Sequence, residues 1–349
     1  MKRKKHRPFY FSARQFAGQG NAVLGIRDSG KSYTASAFAE KLLDQKIPIV
    51  AIDPIGVWRN LRIGKTAPGY PVIVVGDNGD FPLSVETIVP IVRAAMIEKT
   101  SLVIDLYSVT VSKAVAREIV FQTVQTLLYN NKEHGIRHIF IEEAAEFCPQ
   151  QVRPDCGKVY SQIEALARMG GNTSLGYTLI NQRSEQVNKA VLELCDQLFL
   201  HRQKGRHSIS ALAKWLAIGN ADNTRAIIQS LPTLKQGECW AWQAGGTHPN
   251  RIQIHAKKTV HPNRKNLAAT TRGVSADVTA LVERMKKHLD IIPSEFDSEL
   301  DRLKAELEIK SKKLTKLEAV FKEINKVLKP DLRRLVKKLS RAKPGASGS

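Results

Sequence analysis

Between Val23 and Ser36 the chain reads VLGIRDSGKSYTAS. Gly25, four further residues and then Gly30-Lys31-Ser32 reproduce the spacing G-x-x-x-x-G-K-[ST], set between an apolar run, Ala22 to Ile26, and a stretch of helical character from Ser32. These residue types describe the binding of a polyphosphate. The glycines let the backbone curl so that its N–H groups and the positive end of the helix face an anion. Lys31 is then expected to reach the β- and γ-phosphates, and the Ser32 hydroxyl to ligate Mg²⁺. Gly25, Asp28, Ser29, Gly30 and Tyr33 complete the expected contact set for ATP.

Hydrolysis at such a loop needs an acid to hold the metal shell and another to take a proton from the attacking water. Two apolar runs end in acids. SLVIDLY offers Asp105 alone, whereas RHIFIEEAAEF ends in the adjacent Glu142 and Glu143. The second is expected to supply both, with Glu142 on Mg²⁺ and Glu143 as general base. LGYTLINQRSEQ ends in Asn181, Gln182 and Arg183, and Gln182 is a candidate sensor of the γ-phosphate.

Positioning these groups requires a sheet. From Ala22 to about Ala256, short apolar runs alternate with amphipathic stretches, the pattern of strands joined by crossover helices. AVLGI, IPIVAID, YPVIVVG, SLVIDLY, RHIFIEE, LGYTLINQ and QLFLHR are the strand candidates, and their consecutive apolar residues fit strands covered on both faces. KAVAREIVFQTVQTLLYNN carries Ala116, Val120, Phe121, Val124, Leu127 and Leu128 along one helical stripe. GECWAWQ and NRIQIHA read as a closing strand pair. The expected organisation is a basic arm over 1–20, an ATPase domain over 21–260, a linker over 261–275, a helical extension over 276–343 and a flexible tail over 344–349.

In that extension Phe296, Leu300, Leu303, Leu307, Leu314, Leu317, Phe321, Ile324 and Leu328 repeat at alternating spacings of three and four, with Lys310 interrupting the seam. Such a coiled-coil-like stripe has to pair with another chain or fold back. Pro330 then breaks the helix ahead of the basic DLRRLVKKLSRAK.

With 54 Lys and Arg against 33 Asp and Glu, the 349 residues carry a net charge of +21, which favours a polyanionic partner, nucleic acid before an anionic membrane. No apolar run is long enough to span a bilayer, and the start MKRKKHRPFYFS lacks the apolar core of a secretory signal, so a cytoplasmic location is expected. Cys148, Cys156, Cys195 and Cys239 form no C-x-x-C pair and read as reduced, structural thiols.

In this order the phosphate loop, AIDPIG, LVIDL, FIEEAAEF, LINQRSEQVNKAVLELCDQLFLHR and LPTLKQGECWAW resemble a HerA/FtsK-type ATPase, nearest the HerA branch, over roughly Ala22 to Ala256. The resemblance implies a RecA-like P-loop NTPase fold (α/β, mostly parallel sheet). It also implies a homo-oligomer, typically a hexameric ring, that moves double-stranded DNA through a basic pore. ATP then sits at subunit boundaries with an arginine supplied in trans, and Arg168 and Arg202 are the two candidates. Three departures stand out: Glu142 where Asp is commoner, Ala145 where HerA proteins often show His, and barely twenty residues where an N-terminal β-barrel would precede the loop. The C-terminal helix is the expected substitute for that barrel. Two other readings stay open: a nucleotide-gated scaffold recruiting a nuclease or other effector through the C-terminal helices, and a DNA-transfer or packaging ATPase.

Overall fold

The computed structural model describes residues 11–108, 112–216, 221–243, 249–261 and 277–289, with residues 310, 311 and 314. Contacts divide the chain into two units, Met1–Leu289 and Asp290–Ser349. The basic residues Lys2 to Arg7, the linker after His261, the seam Phe296 to Leu328 and the basic segment after Pro330 lie outside the described residues, apart from helical residues 310, 311 and 314.

The first unit opens with a short helix α1 (Ala13–Ala17) and strand β1 (Gly20–Leu24), followed by α2 (Lys31–Asp44), β2 (Ile49–Asp53), β3 (Val72–Val75), α3 (Val85–Ile97) and β4 (Ser101–Asp105). Then come α4 (Lys113–Asn130), β5 (Arg137–Ile141), α5 (Gly157–Met169), β6 (Leu175–Asn181), α6 (Lys189–Glu193) and β7 (Gln197–Leu200). Helices α7 (Arg206–Leu216) and α8 (Ala221–Ser230), strands β8 (Glu238–Gln243) and β9 (Asn250–Gln253), and a helix α9 over 277–289 complete it.

All nine expected strands join one sheet in the order β3-β4-β2-β5-β6-β1-β7-β8-β9. The first seven pair in parallel, and β8 and β9 close the edge antiparallel. The central strands β1, β2 and β4 to β6 are buried along their whole length, the physical counterpart of their near-continuous apolar sequences. One core layer packs α3, α4, α5 and α9 on one face; the other packs α1 and α2, with Trp58, on the opposite face.

The helices on either side of the expected ATPase domain pack on it. In α1 Phe16 and Ala17 are buried, and the Phe11 ring stands edge-on to Phe38 of α2 with centroids 5.2 Å apart. At the other end, α9 belongs to the folded body. Val278 and Met285 are buried in its core, and Glu98 takes Arg284 Nε at 2.7 Å and pairs with His288 Nε2 at 2.8 Å. An amphipathic stripe after a polar linker looks the same whether it docks or continues outward, which is why the sequence placed the boundary at 276.

The four cysteines are buried free thiols. Among the described residues, no helix is long and apolar enough to cross a membrane.

After β9 the chain returns across α2, and this return is fastened along its length. Buried Glu40 accepts the Lys258 N–H at 2.8 Å, the Thr259 N–H at 2.9 Å and the Thr259 hydroxyl at 2.5 Å. The Tyr33 hydroxyl accepts the Lys257 N–H at 2.8 Å, and the Val260 N–H donates to the Ile63 carbonyl at 2.7 Å. Glu40→Ala strands these buried donors, at a cost of about 3 kcal/mol. A fall of about 8 °C in the thermal midpoint is the expected readout; an unchanged midpoint would mean that the return segment is not held by Glu40.

Candidate functional site

The loop between β1 and α2 is tied down at both sides of the strand it leaves. The Gly25 N–H donates to the Asn181 carbonyl at 3.3 Å and the Ile26 N–H to the Arg202 carbonyl at 2.9 Å, so β6 and β7 set its course. β1 ends at Leu24, two residues before the apolar run does, and Ile26 is already in the loop. Glycine is required at both motif positions, for different reasons. A Cβ on Gly25 would stand 2.5 Å from His201 Cβ, while Gly30 has φ +102 and begins α2 in the left-handed region. Buried His201 backs the loop, its Nε2 paired with the Thr34 hydroxyl at 3.0 Å; burial holds its pKa down to about 3, so it stays neutral.

Lys31 lies across the loop and donates to the Ile26 carbonyl at 3.0 Å. Burial lowers its pKa, against the opposing pull of Glu142, Glu143 and Asp28.

The decisive geometry is at the tip of β5. The Ser32 hydroxyl donates to Glu142 Oε1 at 2.7 Å, across 110 residues of sequence. The sheet order explains why Glu142 and not Asp105 reaches the loop. β5 is two strand positions from β1, about 10 Å, whereas β4 is four positions away, about 19 Å. Asp105 is instead spent on its own strand end, accepting the Tyr107 and Ser108 N–H groups and pairing with Arg59.

Glu143 adopts φ +48, ψ +50, a left-handed conformation that costs a non-glycine residue roughly 1–3 kcal/mol. The turn that follows begins at this residue, with the Glu146 N–H donating to its carbonyl at 2.9 Å. The twist swings the carboxylate sideways, where Gln182 Nε2 donates to Glu143 Oε1. Neighbouring Asn181 props the same turn, its Oδ1 accepting the Ala145 N–H at 3.1 Å.

Two contributors to this site carried no assigned role in the sequence. Trp58, fully buried, donates its indole N–H to Glu142 Oε2 at 3.2 Å and packs on Phe140 with ring centroids 4.9 Å apart. Buried Asp53 shapes the loop that delivers Trp58, accepting the N–H groups of Ile55, Gly56 and Trp58 at 3.2, 2.9 and 2.7 Å. Their signal was present in AIDPIG, an acid at a strand tip before Pro and Gly, but nothing local said that the loop ends under another strand. Burial pushes the carboxyl pKa of Asp53 and of Glu142 up to about 7. For Glu142 the Ser32 and Trp58 hydrogen bonds and Lys31 pull against that rise.

Asp28, Gly30, Lys31, Ser32, Tyr33, Glu142, Glu143 and Gln182 all line one cleft of about 960 Å³. Gly25 and Ser29 form the back of the loop, and Ser29 is fully buried. The far wall, Gln236, Gly237 and the return segment from Gln253 to His261 with Lys65, was not anticipated; strand and loop sequences carry no mark of what they fold against. Arg168 is not in the cleft. It lies near the end of α5, which leads into the start of β6, and is therefore at the opposite end of the strands from the loop, 60% exposed and holding Glu164 at 3.0 Å. Arg202 follows β7; its carbonyl supports the loop and its Nε is buried without a hydrogen-bond partner among the described residues.

The oxygen donors fit a hard cation. The Ser32 hydroxyl and the Glu142 carboxylate, 2.7 Å apart, are two oxygen groups of the kind Mg²⁺ takes from a protein while it keeps waters and phosphate oxygens for its remaining positions.

No family model and no curated protein matches the chain. Solved structures do. VirB4 of Thermoanaerobacter pseudethanolicus superposes with a TM-score of 0.51 at 11% identity, covering 68% of this chain and 89% of that one. The bacterial conjugative coupling protein TrwBΔN70 gives 0.50 at 10% identity, covering 71% and 87%. The genome-packaging NTPase B204 of Sulfolobus turreted icosahedral virus 2, in complex with ATPγS, gives 0.47 at 16% identity, covering 69% and 99%. What the chain shares with VirB4 and TrwB is the RecA-like P-loop NTPase fold.

Trp58→Phe keeps a ring against Phe140 and removes the N–H that holds Glu142. Groups that orient a metal ligand are worth about tenfold or more in metal affinity. If Glu142 holds Mg²⁺, binding of a non-hydrolysable ATP analogue in EDTA should be unchanged in this variant, while the Mg²⁺ concentration that half-saturates the enhancement of binding rises about tenfold. An identical Mg²⁺ titration would show that the indole does not position Glu142.

Proposed function

We propose that this chain is an ATP-hydrolysing motor of the HerA/FtsK type, acting on double-stranded DNA as a homo-oligomeric, hexameric ring. The observation that carries the reading is the meeting of Ser32 with Glu142, beside Glu143 held by Gln182, in the cleft that the glycine-lysine-serine loop opens into. The shared fold supports it, and the net charge of +21 supports an anionic track.

On this reading the loop N–H groups and Lys31 hold the triphosphate, and Ser32 with Glu142 holds Mg²⁺. The metal, when bound, neutralises charge on the β- and γ-phosphate oxygens. Glu143 takes the proton of the attacking water, oriented by its contact with Gln182, the candidate sensor of the γ-phosphate. Transition-state charge at a ring boundary is met by an arginine of a second copy, and the family resemblance nominates Arg168 or Arg202. The remote position of Arg168 within its own subunit is compatible with a role in trans only.

The test is ATP turnover with and without double-stranded DNA, alongside Lys31→Ala, Glu143→Gln and a mass measurement of the assembly. Both variants should lose at least about a hundredfold in turnover, with Glu143→Gln still binding ATP, and DNA should stimulate the wild type. DNA affinity should fall with salt at a log–log slope of about −0.9 per phosphate neutralised. Wild-type turnover in either variant would mean that the site is elsewhere; a flat salt response or a monomeric mass would remove the DNA-ring reading.

A further inference from the structure

Helix α4 turns Ile119, Val120, Val124 and Leu127 into the core, and with them it buries a charge. Arg117 stands one turn from the start of the helix with its side chain only 7% exposed. Buried ion pairs are commonly matched or bettered in stability by apolar side chains of similar size. The partner does not change that balance, because Asp155 is 54% exposed and would be hydrated without the arginine. Stability alone does not account for a guanidinium here.

Its contacts reach out of α4 to the connection between β5 and α5. Nε donates to the Glu146 carbonyl at 3.3 Å, and Nη1 donates to Asp155 Oδ2 at 2.6 Å. Glu146 ends the single turn Ala144–Glu146 that follows β5, and Asp155 lies in the turn Pro154–Cys156 that leads into α5. One planar fork thus closes this connection at both ends. The first of those turns begins at Glu143, whose carbonyl accepts the Glu146 N–H at 2.9 Å, so Arg117 grips the residue that completes it. Glu143 itself holds φ +48, a conformation that persists only where the surroundings fix it. Gln182 acts on the Glu143 side chain and Asn181 on the Ala145 N–H, both from the end of β6. Arg117 acts on the far end of the turn, from α4. Lys113 also meets the Glu146 carboxylate at 2.9 Å, but that pair is exposed on both sides and holds weakly.

We propose that Arg117 is a positioning residue for the Glu143 carboxylate: by tying Glu146 and Asp155 to α4 it keeps the turn after β5 wound, so that Glu143 stays directed toward Gln182. The assignment rests on the reading of Glu143 as the group that takes the proton of the attacking water, and extends that reading to a residue that touches no substrate. It also accounts for the buried charge. An apolar side chain would fill the same space, but only a guanidinium bridges a carbonyl at one end of the connection and a carboxylate at the other.

The experiment is a double-mutant cycle on the full chain: wild type, Arg117→Met, Glu143→Gln and the two together, each measured for steady-state ATP turnover and for affinity toward a non-hydrolysable ATP analogue with Mg²⁺. Arg117→Met should lower kcat about tenfold or more through a misplaced base, while KM and the analogue affinity stay within about twofold. With Glu143→Gln already present there is no base left to position, so the same change should lower turnover by less than about twofold further. Equal losses in both backgrounds, or an analogue affinity that falls with turnover, would make Arg117 a support of the fold only and overturn the proposal. The cycle is repeated with Arg117→Lys, which keeps the charge but cannot bridge both partners; kcat should fall at least about threefold, again only where Glu143 is present. A lysine variant with wild-type kcat would overturn the bridge even where the methionine variant fails to fold. Unchanged turnover in both Arg117 variants beside a disabled Glu143→Gln would remove the positioning role and leave the base in place. Wild-type turnover in Glu143→Gln would remove the reading of Glu143, and the role of Arg117 with it.

Discussion

A single contact joins the two halves of the site: the hydroxyl at the start of α2 and a buried carboxylate at the tip of β5. Each comes from an element that would be unremarked alone. A helix N-terminus with exposed N–H groups binds anions weakly by itself, and a buried carboxylate is costly unless its charge is met. Set against each other, with Trp58 donating from behind and Lys31 beside them, they form a place where a cation and a polyanion would satisfy each other and the protein together.

Holding that arrangement demands rigidity from residues that touch no ligand. Asp53 is buried so that a loop can carry an indole under the next strand, and Glu143 adopts a left-handed backbone so that its side chain turns toward β6. Such strain persists only when the surroundings over-determine it. Here Asn181 and Gln182, from a neighbouring strand, brace the turn on both sides. β6 is inserted between β1 and β5, so the strand that separates loop from acids is also the one that supports both.

The second constraint is long-range closure. The segment after β9 crosses α2 and becomes a wall of the cleft, held by Glu40, Tyr33 and the 63–65 backbone. The glycine-lysine-serine loop is thus enclosed by residues more than 200 positions away in sequence. At the rear of the sheet, α9 extends the same principle by filling the α3 face through Val278, Met285 and the Glu98 pairs.

Much of this was legible in the sequence. Nine apolar runs became nine strands because burial on both faces of a parallel sheet imposes consecutive apolar residues, and the glycine-lysine-serine spacing dictates its loop through backbone geometry alone. Glu142, Glu143 and Gln182 were recognisable because strand tips are where such sheets gather polar groups. What the sequence could not carry was strand order and everything that follows from it. Only the assembled sheet sets Asp105 four strand positions from β1, puts Trp58 behind Glu142 and leaves Arg168 at the far end of the strands. Hydrophobic periodicity reports which residues are buried, but not which buried surface lies against which. That pairing was decided by tertiary packing, and so were the far wall of the cleft, the docking of α9 and the inclusion of α1 in the body.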